Sequence, residues 1–522
     1  MAHAETLADL ARAQAERLGD RPALIFEERV TSYADLDARA SRSAQALLGL
    51  GLEPGARVAF LGHDSDVAFE FVLAAAKARA VVLGINWRLT APEIEYILRD
   101  SGAELLAVST AFADVVAPLV AQLPALRKVV VVGGEHALGP RYEEWRNSAS
   151  PRDPGLPVSR DDVVVQMYTS GTTGRPKGVQ LAHRSFFAVV ENLRAAGDPW
   201  IGWSEQDVSL LDIPSFHIGG LWWAMTGLAA GATNVVMDRF VGWKALELLE
   251  RHRVTKVCMV PAMIQVVLSE PRAKEANFAA LGHLVYGGSP IPRTLLERAM
   301  ETFGCGLAQI YGLTETGNTA VCLRPEDHLD RESELLRAAG RPYPGVELRC
   351  IDALGRALPP RAVGEICIRS PANMVGYWRQ REATAKTLVD GWVHTGDAGY
   401  LDERGYVYVH DRIKDMIIYA GENVYPAEIE SVLCSHPAVL EAAVIGVPDE
   451  RWGELVKALV VLRPGAAVTA RDLLAAARRE LADFKVPKSI DFVETLPRTP
   501  SGKLKKAELR EPYWKGRERQ VN

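Results

Sequence analysis

The chain has 522 residues, 48% of them hydrophobic and 24% charged, and a net charge of −6. That length implies about two to four structural units with a large core, and the composition excludes disordered, collagenous and disulfide-scaffold proteins. The weak negative charge leaves no footprint for nucleic acid or an acidic membrane surface. In the opening residues, Leu7, Leu10, Ala11, Ala15 and Leu18 recur at helical spacing. Short apolar runs follow at 57–61, 81–85, 104–108, 129–132, 163–167, 209–213, 235–237, 257–260 and 284–286, each near a helix-length segment. This alternation predicts an α/β protein with largely parallel sheets covered on both faces by helices.

The texture changes beyond Gly340. Segments 346–351, 365–369 and 406–410 read as short alternating strands between Gly and Pro turns, a small β-rich subdomain. Past 411–415, apolar runs at 442–447 and 456–462 flank a turn-like stretch from Pro448 to Gly453, and a helix follows over 470–481. These features predict a large domain over 1–411 and a small α+β domain over 412–522. Cys258, Cys305, Cys322, Cys350, Cys367 and Cys434 form no CxxC pair, which suits a reducing compartment and no structural zinc. The N-terminus lacks a signal pattern and no run approaches the roughly 20 apolar residues of a membrane span, so the expected location is cytoplasmic.

The strongest chemical signal runs from Tyr168 through Thr169, Ser170, Gly171, Thr172, Thr173, Gly174, Arg175, Pro176 and Lys177 to Gly178, directly after an apolar strand. Small residues let backbone N–H groups crowd toward an anion, hydroxyls add donors, and Lys177 adds a point charge. The arrangement suits a polyphosphate. No Gly-Lys-[Ser/Thr], GxGxxG or GxSxG pattern occurs, which disfavours a P-loop ATPase or kinase, a dinucleotide fold and an α/β-hydrolase.

Other segments take up the theme in order: Tyr311-Gly312-Leu313-Thr314-Glu315-Thr316, Gly391-Trp392-Val393-His394-Thr395-Gly396-Asp397, Asp411-Arg412-Ile413-Lys414-Asp415, Gly421-Glu422-Asn423-Val424-Tyr425-Pro426, and Pro497-Arg498-Thr499-Pro500-Ser501-Gly502-Lys503. Together with the loop after Tyr168, they resemble the signatures of the adenylate-forming superfamily, in its acyl-CoA synthetase branch of fatty-acid and aryl-acid ligases. The resemblance spans nearly the whole chain. It implies two half-reactions: a carboxylic acid and ATP give an acyl-adenylate and pyrophosphate, then a thiol displaces AMP. It also implies Mg²⁺ as cofactor, ATP and coenzyme A as co-substrates, and a homodimer as a family habit.

The resemblance assigns roles residue by residue. Glu315 becomes the magnesium ligand, a hard carboxylate for a hard ion, and Thr314 a donor to the α-phosphate. Asp397 accepts from the ribose hydroxyls and Arg412 adds a second ribose contact. Gly287, Gly288, Ser289 and Pro290 form an adenine-binding turn, and Tyr311 packs on the base. Lys503 neutralises charge between carboxylate and α-phosphate during adenylation, and Lys414 is the hinge about which the small domain rotates. His217 stands beside the substrate carboxylate, with Trp222, Tyr286 and Gly287 around the acyl pocket. Gly421, Trp452 and Phe484 are the coenzyme A candidates. Read without the resemblance, several have plainer roles: Asp397 as a turn residue, Lys503 as part of a solvated basic tail with Lys505 and Lys506, His217 and Trp222 as core.

The chain departs from the family at Tyr419-Ala420-Gly421, where many relatives have Ser-Gly-Gly, and at Val486, where some aryl-acid relatives have arginine. The candidate pocket segments carry no Asp for an α-amino group and no basic cluster for a second carboxylate, so an apolar acid is expected. Coenzyme A is the expected acceptor; a carrier protein is the alternative, and a catalytically silent nucleotide-binding regulator is the reading from another class. Lys503, Glu315 and Asp397 argue against that last reading.

Overall fold

The computed structural model describes residues 4–169, 175–330, 333–419, 422–449, 451–498 and 504–515. Among these residues the strands assemble into four sheets. The largest runs, in spatial order, Arg341–Pro342, Val321–Leu323, Gly306–Tyr311, His283–Gly287, Lys256–Met259, Val208–Leu211, Thr233–Val236, Pro22–Phe26 and Arg29–Ser32. From Gly306–Tyr311 to Pro22–Phe26 the pairing is parallel, and both edges are antiparallel. A second sheet runs Gly376–Tyr377, Lys177–Ala182, Val163–Thr169, Val81–Ile85, Arg57–Leu61, Leu105–Ser109 and Lys128–Val132. Its parallel strands, such as Lys-Val-Val-Val-Val over 128–132, are apolar without alternation because both faces are covered. The α/β class expected from sequence is the class observed.

One continuous core joins the two sheets. Leu24, Val236, Val285 and Ala308 from the first and Val58, Val82, Val165 and Val179 from the second share it with Phe69, Phe71, Trp222 and Trp223 from helices between. Helix Asp66–Lys77 is buried at every position, which explains its near-continuous apolar sequence. The polar exceptions are paired. Glu70, 2% exposed, accepts from Ser43 Oγ, Tyr142 Oη and Arg146 Nη1, each at 2.8 Å.

The third sheet is antiparallel: Glu347–Ile351, Gly364–Arg369 and Trp392–Leu401 in succession, with Leu388–Val389 and Val407–Arg412 both paired to Trp392–Leu401. The strand expected over 406–410 runs on to Arg412, so Arg412 is itself a strand residue, opposite Asp397. The short turn Ile413–Asp415 follows. Ile417–Tyr419 then belongs to a fourth sheet, built on the hairpin Val439–Asp449 and Gly453–Leu462 and closed by Glu422–Val424 and Ser489–Phe492. Helices Pro426–Ser435 and Ala470–Glu480 cover it through a separate core of Ile429, Leu433, Val444, Val460, Leu473 and Ala477. No helix among the described residues is long and apolar enough to cross a membrane.

The Glu70 group gives a stability test. Arg146→Ala leaves a buried carboxylate without its cation and should cost about 3–5 kcal/mol, whereas Glu70→Met with Arg146→Met should cost less. Urea denaturation of the single and double variants checks the order; a double variant worse than Arg146→Ala would refute it.

Candidate functional site

Ligands of open α/β sheets bind beyond the carboxyl ends of parallel strands. Gly306–Tyr311 ends there in Tyr311-Gly312, and His283–Gly287 ends in Gly287-Gly288. Close packing selects glycine at Gly312: a Cβ would lie 2.0 Å from the Asn318 carbonyl oxygen. Gly288 takes φ of +81°, a left-handed turn that brings backbone forward before Ser289 and Pro290. Thr314, Glu315 and Thr316 form a single 3₁₀ turn after Leu313, whose N–H donates to Thr316 Oγ1 at 2.9 Å.

Three motifs meet at one carboxylate. Asp397 is 6% exposed. Tyr311 Oη donates to its Oδ2 at 2.8 Å, and Arg412 Nε lies 2.7 Å from its Oδ1. Burial works against the Arg412 charge, but Asp397, Tyr311 and Glu315 more than offset it and hold its pKa up. Burial, then Asp397, raises the Tyr311 phenol, so it remains a donor. Tyr311, expected against adenine, thus also orients the residue expected to hold ribose. The strand just before Asp397 is fixed by Glu365, which accepts from the Gly396 N–H at 2.9 Å and contacts His394 Nδ1 at 3.0 Å.

The expected phosphate and metal residues share a second organiser, Tyr377. Its hydroxyl donates to Glu315 Oε1 at 2.8 Å, and Lys177 Nζ sits 4.9 Å from its ring centroid. Lys177 begins the strand antiparallel to Val163–Thr169 and stands opposite Thr169. Arg175 lies 5.8 Å from the Tyr96 ring, and Pro176 C=O accepts from Tyr96 Oη at 3.2 Å. Ser170, Gly171, Thr172, Thr173, Gly174, Gly421 and Lys503 lie outside the described residues. With Tyr377 on Oε1, the carboxylate of Glu315 retains an oxygen of the kind Mg²⁺ prefers, so its chemistry fits that ion.

His217 caps the start of helix Ile218–Ala230 and packs 4.5 Å from Phe216. The segment before it is tied by Asp64, which accepts from Ser215 N–H at 2.9 Å and Ser215 Oγ at 2.5 Å. Burial raises the Asp64 carboxyl to about 7, with the Ser215 bonds opposing. For Trp222 and Tyr286 the structure shows core packing rather than an open wall. Trp222 is 4% exposed against Trp200 and Trp223, and Tyr286 is fully buried with its hydroxyl 2.9 Å from His328 Nε2. Their aromatic side chains fill space between helix and sheet, which corrects the expectation that they line an acyl channel.

Lys414 is exposed on its turn, and partial desolvation lowers its pKa. Trp452 stands at the hairpin turn of the fourth sheet, stacked 5.6 Å from Tyr419 with Arg451 4.6 Å above it. Phe484 packs against that sheet's core, under Lys485. Asp64, Glu365 and Tyr377 were not anticipated. Their partners lie 151, 31 and 62 residues away in the chain, and no local pattern announces them.

Comparison with known proteins points the same way. The family model for AMP-binding enzymes matches residues 11–378, and that for the AMP-binding enzyme C-terminal domain matches 428–503. The chain is 49% identical over 519 residues, 99% of this chain and 98% of the relative, to a fatty acid–[acyl-carrier-protein] ligase of Streptomyces coeruleorubidus. It is 39% identical over 483 residues, 92% and 94% of the two chains, to a feruloyl-CoA synthase of Amycolatopsis. Among solved structures, an anthranilate CoA ligase in complex with anthranoyl-AMP matches with a TM-score of 0.90 at 27% identity over 97% of each chain. ATP-bound MatB from Rhodopseudomonas palustris matches with a TM-score of 0.87 at 32% identity over 97% of this chain and 99% of that one.

Two measurements follow from the geometry. Tyr311→Phe removes one hydrogen bond to Asp397 and should weaken ATP binding about fivefold by calorimetry; unchanged affinity would show that the hydroxyl does not matter. Asp64, raised from 3.8 to about 7, resists ionisation in the fold, so its contribution to stability is lost as pH rises across that window. The melting temperature of Asp64→Asn should fall less than that of the wild type over the same window; equal slopes would count against this assignment.

Proposed function

We propose, from the premise that this chain belongs to the AMP-binding enzymes, the adenylate-forming superfamily in its acyl ligase branch, that it activates a fatty acid with ATP and passes the acyl group to the pantetheine thiol of a carrier protein. The observation that carries the reading is the buried Asp397 carboxylate held between Tyr311 and Arg412. Its oxygens suit ribose hydroxyls, and residues of two other motifs, Tyr311 and Arg412, fix its position.

In the first half-reaction a carboxylate oxygen attacks the α-phosphorus of ATP, the bond to the bridging oxygen breaks, and pyrophosphate leaves with its electron pair. The barrier comes from bringing anions together, so neutralisation and alignment dominate. Lys177 and the Gly/Ser/Thr-rich segment before it are assigned to the phosphates, Thr314 donates to the α-phosphate, and Lys503 supplies charge between the reacting groups. Mg²⁺, when held by Glu315, adds further neutralisation. Gly287 to Pro290 and Tyr311 bound the adenine, and His217 stands at the carboxylate end of the acyl site. In the second half-reaction a thiol attacks the acyl carbon, loses its proton and displaces AMP. The proposed domains, 1–411 and 412–522, pivot at Lys414 between the two steps, and Gly421, Trp452 and Phe484 are assigned to the thiol's side of the reaction.

The carrier protein replaces coenzyme A as the favoured acceptor for two reasons. The relative at 49% identity is named for that acceptor. Val486, 2% exposed, is also an apolar core residue that offers no cation to the phosphates of coenzyme A. Free coenzyme A is the second reading, favoured by the feruloyl-CoA synthase relative.

Pyrophosphate release over fatty, aryl and cyclic acids tests the acid: medium- and long-chain fatty acids should lead. Thioester formation with a holo carrier protein and with coenzyme A, each at equal concentration, tests the acceptor; faster transfer to coenzyme A would reverse the assignment. Lys503→Ala should lose pyrophosphate release by about 100-fold or more, yet convert supplied acyl-adenylate to thioester. Equal loss of both steps would remove Lys503 from its role. Lys414→Pro should do the opposite, sparing adenylation and blocking transfer.

A further inference from the structure

The C-terminal helix Lys506–Trp514 opens on a lysine that is 8% exposed. Lys506 Nζ lies 2.9 Å from Glu430 Oε1 and 3.3 Å from Asp411 Oδ2. Asp411 Oδ2 also accepts from the Ala427 N–H at 2.9 Å. One turn along the helix, Arg510 Nη1 lies 2.7 Å from Asp415 Oδ1. The two acids bracket Arg412, Ile413 and Lys414.

These pairs are not equivalent. Asp411 is a strand residue of the third sheet, opposite Ala398, whereas Glu430 and Ala427 lie on helix Pro426–Ser435 over the fourth. Arg510–Asp415 lies wholly beyond Lys414 and stays within the small unit however that unit turns. Lys506–Asp411 crosses the pivot. Burial opposes the Lys506 charge, but Glu430 and Asp411 overcome it and raise its pKa. The chain just before Lys506 is also tied down: Leu504 bridges Arg498, and the Lys505 N–H reaches Pro497 C=O at 2.9 Å. Arg498 in turn pairs with Glu441 of the fourth sheet at 2.8 Å.

We propose that Lys506 is a positioning residue for Lys503. Gripped by Asp411 and Glu430, it fastens the C-terminal helix to the last strand before Lys414 and so selects the orientation of the small unit that serves adenylation. The proposal rests on the two-step reading above.

Asp411→Asn removes the Oδ2 acceptor shared by Lys506 and the Ala427 N–H, while Glu430 still neutralises Lys506 and the amide oxygen still serves the Arg412 N–H; the Lys506 variants below separate the two losses. ATP–pyrophosphate exchange should fall about tenfold or more in kcat with little change in KM for ATP, and thioester formation from supplied acyl-adenylate should keep its wild-type rate. Lys506→Arg should retain exchange and Lys506→Met should lose it. Equal loss of both half-reactions in Asp411→Asn, or unchanged exchange, overturns the proposal. Wild-type protein that shows no exchange with any acid overturns the two-step reading, and the proposal with it.

Discussion

The Asp397 carboxylate is the point on which the arrangement turns. A carboxylate at 6% exposure survives only if both oxygens are satisfied. One is met by Tyr311, at the carboxyl end of a parallel strand of the largest sheet, and the other by Arg412, its cross-strand partner in the third. Satisfying one buried charge therefore registers the two sheets against each other. It also fixes the end of the strand from which the chain departs for the fourth sheet. Had Asp397 been solvated, the three motifs would have no physical reason to hold a common geometry.

A second layer of pairing repeats the logic around that point. Glu365 pins the strand just before Asp397, Tyr377 pins Glu315 while its ring meets Lys177, and Asp64 pins the segment leading to His217. Each supporting group bonds one member of a motif and comes from a different strand or loop. Preorganisation of this kind matters where reacting groups are anions, because donors already aimed need no reorganisation when charge shifts.

This division explains what the sequence discloses. Parallel strands buried on both faces are legible as apolar runs, and the Tyr-Gly-x-Thr-Glu turn is legible because close packing at Gly312 restricts its residue. The supporting residues are not legible, since Asp64 and Ser215 meet across 151 positions and nothing near either predicts the pairing. Aromatic residues fail for another reason. Tyr286 lies on a strand buried on both faces, and composition does not say whether its ring meets core or cavity. Strand ends depend on pairing as well: Arg412 reads as a strand-end surface residue until Asp397 opposite it makes it the last residue of a ladder.

The charges around residues 411–415 invite a different account from those at Asp397. A buried ion pair returns little net stability, because desolvation offsets most of the Coulomb attraction, and an apolar side chain of similar volume often serves the fold as well. What such a pair supplies is discrimination, since any arrangement that separates it leaves a buried charge unpaired. Lys506 has two carboxylates, one on each side of Lys414, so the rotation proposed above would break one bond and leave the other. Lys506 would keep a partner, and the Asp411 carboxylate left without one would be what disfavours the turned arrangement. That combination suits a joint that has to release as well as hold, and it places the selective interaction beside the proposed pivot, where a small rotation would change it most.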